Sequence, residues 1–102
     1  MENSKQNKRI KKTKLTIISP VNNKKYFVLK KDLPGKQNLL FKASINNTKQ
    51  QIFWFLNGEL IAKNRKEVFW QPRYGKHSLV CCCADGNTDK CSFIVESHEK
   101  FK

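Results

Sequence analysis

The sequence predicts an all-β fold, an antiparallel β-sandwich of about seven or eight short strands. Short apolar runs rich in β-branched and aromatic residues recur between turn signals that lie about 8–12 residues apart. No stretch long enough for a helix shows helical periodicity. The 102 residues are 38% hydrophobic and 11% aromatic, which suffices for one small packed core and excludes a fully disordered chain.

Proline, glycine, asparagine and aspartate bound the predicted strands, which cover residues 15–19, 26–30, 37–45, 51–57, 59–63, 67–70, 77–84 and 90–95. Pro20 ends the first strand, because proline has no amide hydrogen to donate to a neighbouring strand. A turn is predicted at residues 32–35, before the third strand. Asn57-Gly58 predicts a two-residue hairpin, since a type I′ turn needs a positive φ at both positions.

The fourth predicted strand is the most aromatic of the set. Alternation places Ile52 and Trp54 on one of its faces and Phe53 and Phe55 on the other. Trp54 and Trp70 both lie in strands that bury one face, so we expect them to be core residues rather than a binding platform.

Basic residues are concentrated at the N-terminus. Residues 1–14 hold six Lys and Arg against one Glu and a single large apolar residue, so burial cannot offset the entropy lost on ordering. We therefore predict a basic disordered tail or linker over residues 1–14, a β-sandwich domain over residues 15–96 and a short C-terminal tail over residues 97–102. Neither a secretory signal nor a transmembrane helix is predicted, because no long apolar run occurs.

The net charge of +13 predicts an anionic partner. Basic and aromatic residues interleave at Lys24-Lys25-Tyr26-Phe27 and at Arg73-Tyr74. A small basic nucleic-acid-binding β module is therefore the alternative function. Neither a ribonucleoprotein-type aromatic motif nor a recognition helix accompanies these residues.

Four cysteines stand near the end of the chain. Alternation puts Cys81 and Cys83 on the face of Leu79, with Cys82 pointing away, and a hairpin would bring Cys91 near them. Buried thiols and a cross-strand disulfide both remain open for Cys81, Cys83 and Cys91. A zinc site is disfavoured, because adjacent strand residues point in opposite directions and no Cys-x-x-Cys spacing occurs; no metal or cofactor is predicted.

No catalytic residues are predicted. Paired carboxylates in an apolar setting and a glycine-rich phosphate loop are both absent from the sequence. Ser97-His98-Glu99-Lys100 matches a serine nucleophile motif, but neither a following helix nor a Lys-Thr-Gly partner accompanies it. We interpret the match as chance and His77 as a structural hydrogen-bonding residue, so the chain is predicted not to be an enzyme.

Two aromatic signatures follow each other along the chain: Phe53-Trp54-Phe55-Leu56-Asn57-Gly58, and Phe69-Trp70-Gln71-Pro72-x-x-Gly75-Lys76-His77-x-Leu79. Ile18-Ser19-Pro20 precedes them, and Gly86 with Phe93 follows. With these motifs, residues 15–96 resemble the C-terminal domain of bacterial penicillin-binding proteins of the 1C type. The signature residues are interpreted as structural, and no binding residues are assigned: Pro20, Trp54, Gly58, Trp70, Pro72, Gly75, His77 and Gly86.

The resemblance implies that the β-sandwich is immunoglobulin-like. It also implies a non-catalytic accessory module that trails a peptidoglycan glycosyltransferase domain and a transpeptidase domain. Its expected partner is a cell-wall protein or the peptidoglycan itself, with nucleic acid as the alternative. As part of a membrane-anchored parent it would be periplasmic or otherwise extracytoplasmic; expressed alone without a signal it would stay in the cytoplasm. The oligomeric state is left open, since exposed edge strands can pair.

Overall fold

Two facing β-sheets make up the part of the chain that the computed structural model describes, residues 13–28, 38–47 and 49–97. Its strands are β1 Leu15–Ser19, β2 Lys24–Val28, β3 Leu39–Ile45, β4 Ile52–Leu56, β5 Glu59–Lys63, β6 Glu67–Trp70, β7 Gly75–Cys83 and β8 Thr88–Ser97. One sheet has the order β1-β3-β6 and the other β2-β8-β7-β4-β5. The predicted all-β sandwich is therefore confirmed. Within the described ranges, no helix is long and apolar enough to cross a membrane.

The strand boundaries follow the predictions closely. β1, β5 and β6 match their predicted ranges, and β7 begins two residues earlier than predicted, at Gly75. β8 continues to Ser97, the first residue of the predicted C-terminal tail. The turn predicted at residues 32–35, most of the predicted basic tail and residues 98–102 lie outside the described residues. The division into tail, domain and tail stays a prediction.

The pairing of β2 with β8 is parallel, whereas an antiparallel sandwich was expected. The chain leaves the three-stranded sheet after β1 and joins the edge of the other sheet. Asn22 and Asn23 make this junction: Ser92 N donates to Asn22 Oδ1 at 2.8 Å, and Asn23 N donates to Ser92 O at 2.6 Å. Asn23 adopts a φ of 66°, a conformation that asparagine tolerates better than most residues. These two asparagines thus attach β2 to β8.

The core lies between the sheets and is built around stacked aromatic rings. Phe41 of β3 stacks on Trp54 of β4 and on Trp70 of β6, with ring centroids 6.1 Å and 5.4 Å apart. Phe93 of β8 meets Phe41 edge-on at 5.9 Å. Phe41, Trp54 and Phe93 are fully buried, and each contributes about 2–3 kcal/mol of burial free energy. The predicted alternation of β4 is confirmed, since Ile52, Trp54 and Leu56 are all buried.

A carboxylate joins the two sheets at one edge. Asp89 of β8 is half-buried, and its Oδ2 accepts a hydrogen bond from Ile17 N of β1 at 2.7 Å. Its Oδ1 accepts one from Lys90 N at 2.9 Å. β1 has a register irregularity between Ile17 and Ser19, so its pairing with β3 is disturbed there. Asp89 satisfies an amide that the disturbed strand presents to the opposite sheet.

Candidate functional site

The two signature tryptophans lie in the core, at different depths. Trp54 is fully buried, and its Nε1 donates to the carbonyl of Arg65 at 2.7 Å. Trp70 is half-buried at the end of β6, and its ring meets His77 at 4.9 Å and Phe93 at 5.8 Å, both edge-on. Their rings pack against other side chains, so neither forms a free flat platform.

His77 is buried and has hydrogen-bond partners at both ring nitrogens. Its Nε2 lies 2.8 Å from the carbonyl oxygen of Arg73, which can only accept, so Nε2 carries a proton. Its Nδ1 lies 3.1 Å from Asn57 Nδ2, the donor atom of that amide, because Asn57 Oδ1 already accepts from Ser78 N at 2.9 Å. The histidine is therefore neutral and has no nitrogen free for a ligand.

The remaining signature residues lie at corners of the fold. Pro20 and Pro72 are buried. Gly58 has a φ of 88° next to Asn57 at 51°, the combination that a type I′ hairpin requires. Gly75 and Gly86 also have positive φ values. The structure thus distributes these residues among turns and core rather than gathering them into a cleft.

All four cysteines are free thiols. Cys81, Cys83 and Cys91 point into the core and Cys82 points out. Cys81 lies opposite Asp89 across the β7–β8 pair, and Cys91 lies opposite Leu79. Burial, with a smaller repulsion from neighbouring charges, raises the pKa of Cys81 to about 12 and that of Cys91 to about 11. In the part of the chain that the structure describes, no cluster of three or more candidate ligands could hold a metal ion.

The β7–β8 turn is closed by Asp85. Its Oδ1 accepts hydrogen bonds from the Cys83 thiol at 2.8 Å and from Asn87 N at 3.1 Å. The thiol, the Thr13 hydroxyl and the Asn87 amide together hold the pKa of Asp85 well below its ordinary value. Burial and this hydrogen bond in turn raise the pKa of Cys83. These contacts account for the turn and leave no reactive thiolate there.

The strongest candidate for a functional surface is the open face of the five-stranded sheet. In a two-layer sandwich this face meets water, so its side chains are normally polar. Here five apolar side chains from three adjacent strands meet on it, and we call them the phenylalanine patch: Phe53, Phe55, Leu60, Val80 and Cys82. A contiguous apolar surface on a face that meets water makes these residues the candidate interaction surface.

The strand register brings the members of the phenylalanine patch together. Phe55 lies opposite Leu60 on one side and Val80 on the other, and Phe53 lies opposite Cys82. The two phenylalanines are about 7 Å apart along β4, and adjacent strands are about 5 Å apart. Leu60 is 49% exposed, and the others are partly exposed. The register therefore places these side chains next to one another on one face of the sheet.

Cations border the patch on both sides. Lys63 lies opposite Phe53 on β5, and Lys90 lies opposite Val80 on β8. Further along the same face, Lys25 is paired with Glu96 at 3.9 Å. The patch is therefore an apolar centre with a mainly basic rim.

Alternation predicted that Phe53 and Phe55 lie on the face opposite Trp54 and that Cys82 points away from the core, and both predictions are confirmed. The sequence did not connect these residues with Leu60 and Val80, because only the strand order places β5 and β7 on either side of β4. The available signal was the apolar character of alternate positions that should have faced solvent.

The nucleic-acid hypothesis depended on aromatic residues beside lysines. Tyr26 packs inward, with its ring 6.1 Å from Phe93 and edge-on to it, and its hydroxyl accepts from Val21 N at 3.0 Å. Lys24 Nζ lies 5.3 Å from the centre of the same ring. Tyr26 is thus unavailable for stacking on a base, although Phe27 and Tyr74 are exposed.

Solved structures support the fold. A fibronectin(III)-like module of CbhA from Clostridium thermocellum has a TM-score of 0.59 at 15% identity, covering 83% of this chain and all of that one. SGBP-B of the Bacteroides ovatus mixed-linkage glucan utilization locus, solved with a mixed-linkage heptasaccharide, has a TM-score of 0.54 at 12% identity. The match covers 91% of this chain and 27% of that one. At such identities the likeness concerns the fold alone.

No curated protein matches the sequence. The family model described as the penicillin-binding protein C-terminus family matches residues 4–94, which is most of the chain. The match includes both tryptophan signatures and the cis Ser19-Pro20 corner. The protein therefore belongs to the penicillin-binding protein C-terminus family.

Proposed function

We propose that this domain is a non-catalytic interaction module of a peptidoglycan synthase and that it docks a partner protein of the cell-wall machinery through the phenylalanine patch. The observation that carries the proposal is the apolar centre of the patch with Lys63 and Lys90 at its rim. Protein interfaces commonly combine a buried apolar centre with a charged, solvent-exposed rim. The basic rim calls for acidic residues on the partner.

A protein suits this surface better than a wall glycan does. Sugar rings that stack on aromatic side chains also need polar groups close by to bind their hydroxyls. Phe53 and Phe55 carry no polar atom, and their neighbours Leu60, Val80 and Cys82 are apolar or weakly polar. The two rim lysines can donate hydrogen bonds but cannot accept them from sugar hydroxyls. Five side chains are far fewer than the roughly 20–30 residues that each partner contributes to a stable interface, so we expect micromolar affinity.

In this proposal, the longer synthase that carries the module holds it outside the cytoplasm, next to the cell wall. Family membership supports a membrane-anchored, extracytoplasmic parent, in which the synthase domains act and this module recruits or positions a partner. In the described residues, both ring nitrogens of His77 are hydrogen-bonded and the three inward thiols are buried, so the proposal gives none of these groups a catalytic role.

The experiment compares Phe53→Thr/Phe55→Thr with wild type, since threonine keeps strand propensity while removing the apolar surface. Ile94→Thr is the matched control, because Ile94 faces out from the same sheet beyond the patch. Binding to purified wall-synthesis proteins and to purified peptidoglycan is measured by surface plasmon resonance. We expect one protein to bind wild type and the control, and the double variant to lose at least about tenfold in affinity.

Three outcomes would contradict the proposal. They are equal binding by the double variant, binding to peptidoglycan alone, and tight nucleic-acid binding that survives moderate salt. The last would favour the nucleic-acid alternative, since binding by scattered lysines alone weakens steeply as salt is added.

A further inference from the structure

We infer that the element of the partner that docks on the phenylalanine patch is an amphipathic α-helix with acidic residues on both sides of its apolar stripe. The inference rests on the proposed function and names the structure and the charge of the partner's contact surface. The observations that carry it are the apolar chemistry of the patch, the irregular edge strand β5 beside it, and the positions of Lys63 and Lys90.

The side chains of the patch cannot satisfy a peptide backbone. The two phenylalanines, Leu60 and Val80 carry no polar atom, and the Cys82 thiol is a weak donor. An extended segment laid on these side chains would leave the N–H and C=O groups that face the patch without hydrogen-bond partners, which is unfavourable. A helix pairs its backbone groups internally, so it can cover the patch without that loss.

The edge of the sheet beside the patch is unsuited to an added strand. Among the described strands, β5 has a neighbour on one side only, so its outer edge is where an extended partner segment would pair. The pairing of β5 with β4 is irregular next to Phe55, where Ile61 has no opposite residue. Such a bulge bends the strand, and Lys63 adds a charge to this edge. Both features disfavour strand addition and leave the face of the sheet as the docking surface.

One helix has the size of the patch. A helix with its side chains is about 10–12 Å across, and the three strands β5, β4 and β7 span about 10 Å. Phe53 and Phe55 are about 7 Å apart along β4, and helix residues at positions i and i+4 are about 6 Å apart along the axis. A helix that lies along β4 therefore places two successive apolar residues over the two phenylalanines.

Lysines lie on both flanks of such a helix, and both are exposed. Lys63 lies opposite Phe53 on β5. Lys90 lies opposite Val80 on β8, and Val80 lies opposite Phe55. The lysines are thus staggered by about 7 Å along the strands, which is close to one helical turn of about 5.4 Å. Acidic residues one turn apart, one on each side of the apolar stripe, pair with both lysines, whereas a helix with basic flanks meets like charges.

The test is a titration of the full-length ¹⁵N-labelled chain, in reducing buffer, with a synthetic capped peptide of about 16 residues, which is long enough to form a helix. Its leucines recur at the i, i+3, i+4 and i+7 spacing of one helix face, glutamates flank them on both sides, and alanine fills the remaining positions. We expect saturable amide shifts at residues 53–55 and 80–82 and a rise in the helicity of the peptide. A shuffled peptide of the same composition and a peptide with a central proline should each bind at least about tenfold more weakly.

Exchanging the charges locates the contact. Lys63→Glu/Lys90→Glu should weaken binding of the glutamate peptide at least about tenfold and should bind a peptide in which lysines replace the glutamates. Lys66→Glu/Lys76→Glu is the matched control, because it changes the net charge equally at exposed positions outside the patch. At physiological ionic strength this control should keep the affinity within about threefold of wild type. The ¹⁵N spectrum of each variant reports whether it is folded.

The inference is overturned if the helical peptide gives no saturable shifts, if the proline peptide binds as well, or if the control variant weakens binding as much as Lys63→Glu/Lys90→Glu. If the peptide fails while a wall-synthesis protein still needs Phe53 and Phe55, the helix is wrong and the proposed function stands. If the peptide binds and no wall-synthesis protein does, the proposed function fails and the preference of the patch for a helix stands.

Discussion

Asn57 and His77, twenty residues apart, form one hydrogen-bonded unit in which Asn57 Nδ2 donates to His77 Nδ1 at 3.1 Å. Asn57 also anchors β7 through its Oδ1, which accepts from Ser78 N, and through its own N–H, which donates to Ser78 O at 2.8 Å. On its far side His77 Nε2 donates to Arg73 O. Asn57 of the first aromatic signature and His77 of the second therefore act together to hold the β4–β5 turn against β7.

Asn57→Ala should destabilise the domain by about 2–3 kcal/mol. The variant leaves His77 Nδ1 and Ser78 N without their partners, and it places alanine at a φ of 51°. The measurement is urea denaturation followed by tryptophan fluorescence. Asn57→Gly is the control for backbone strain, because glycine accepts this φ freely. If Asn57→Gly were as stable as wild type, the side-chain hydrogen bonds would contribute nothing.

Replacing the more deeply buried tryptophan should destabilise the domain more. Trp54→Ala removes a fully buried ring and should lower the free energy of unfolding by about 3–5 kcal/mol. Trp70→Ala removes a half-buried ring and should lower it by about 2–3 kcal/mol. Trp54→Phe keeps most of the packing but leaves the Arg65 carbonyl without its donor, for a loss of about 1–2 kcal/mol. Thermal and urea unfolding measure all three. Wild-type stability in Trp54→Ala would rule out the assigned core.

Asp89→Ala should loosen the edge strand β1. The loss of the hydrogen bond from Ile17 N should cost about 1.5–3 kcal/mol, because the acceptor is charged and half-buried. Hydrogen exchange of the Ile17 amide should accelerate more than that of the Phe93 amide in β8. Asp89→Asn keeps an acceptor oxygen and should show the smaller effect. Uniform acceleration across both sheets would mean that Asp89 acts on global stability and not on β1.

Thiol labelling of the native protein should be selective. Cys82 is partly exposed on the open sheet face, whereas Cys81, Cys83 and Cys91 are buried with raised pKa values. Since the thiolate is the reactive form, Cys82 should react first with a disulfide reagent near pH 8, and the other three only after unfolding. Mass spectrometry of the labelled peptides identifies the site. Cys82→Ser should abolish the fast phase, and a fast phase that persisted would contradict the burial of the other thiols.

Stability should fall at alkaline pH because of the same buried thiols. Unfolding returns Cys81 and Cys91 to a pKa near 9.0, whereas the folded values are about 12 and about 11. Deprotonation therefore favours the unfolded chain, so this stabilisation is fully present below about pH 9 and declines as pH rises toward 11. Urea midpoints measured in reducing buffer across this range test the sign. Cys81→Ala/Cys91→Ala should show a shallower decline, which separates the thiols from lysine and tyrosine titration.

Much of this architecture could be predicted from local pattern. Alternation in residues 52–56 predicted which side chains face the core, and Asn57-Gly58 predicted the hairpin that follows. Both features depend only on residues within one strand or one turn. The parallel pairing of β2 could not be predicted, because it depends on Ser92, which lies 69 and 70 residues away from the asparagines that bind it.

The sequence by itself determined the strands, their inward faces and, through the two tryptophan signatures, the family. Only the tertiary structure decided which outward residues became neighbours, since a period of two assigns a side chain to a face without saying which strand lies beside it. Phe55 meets Leu60 and Val80 because β4 lies between β5 and β7. Gln50 and Lys66 share a pocket because two loops distant in sequence meet at one end of the sandwich. Such neighbours arise from contacts between elements, where local pattern carries no information.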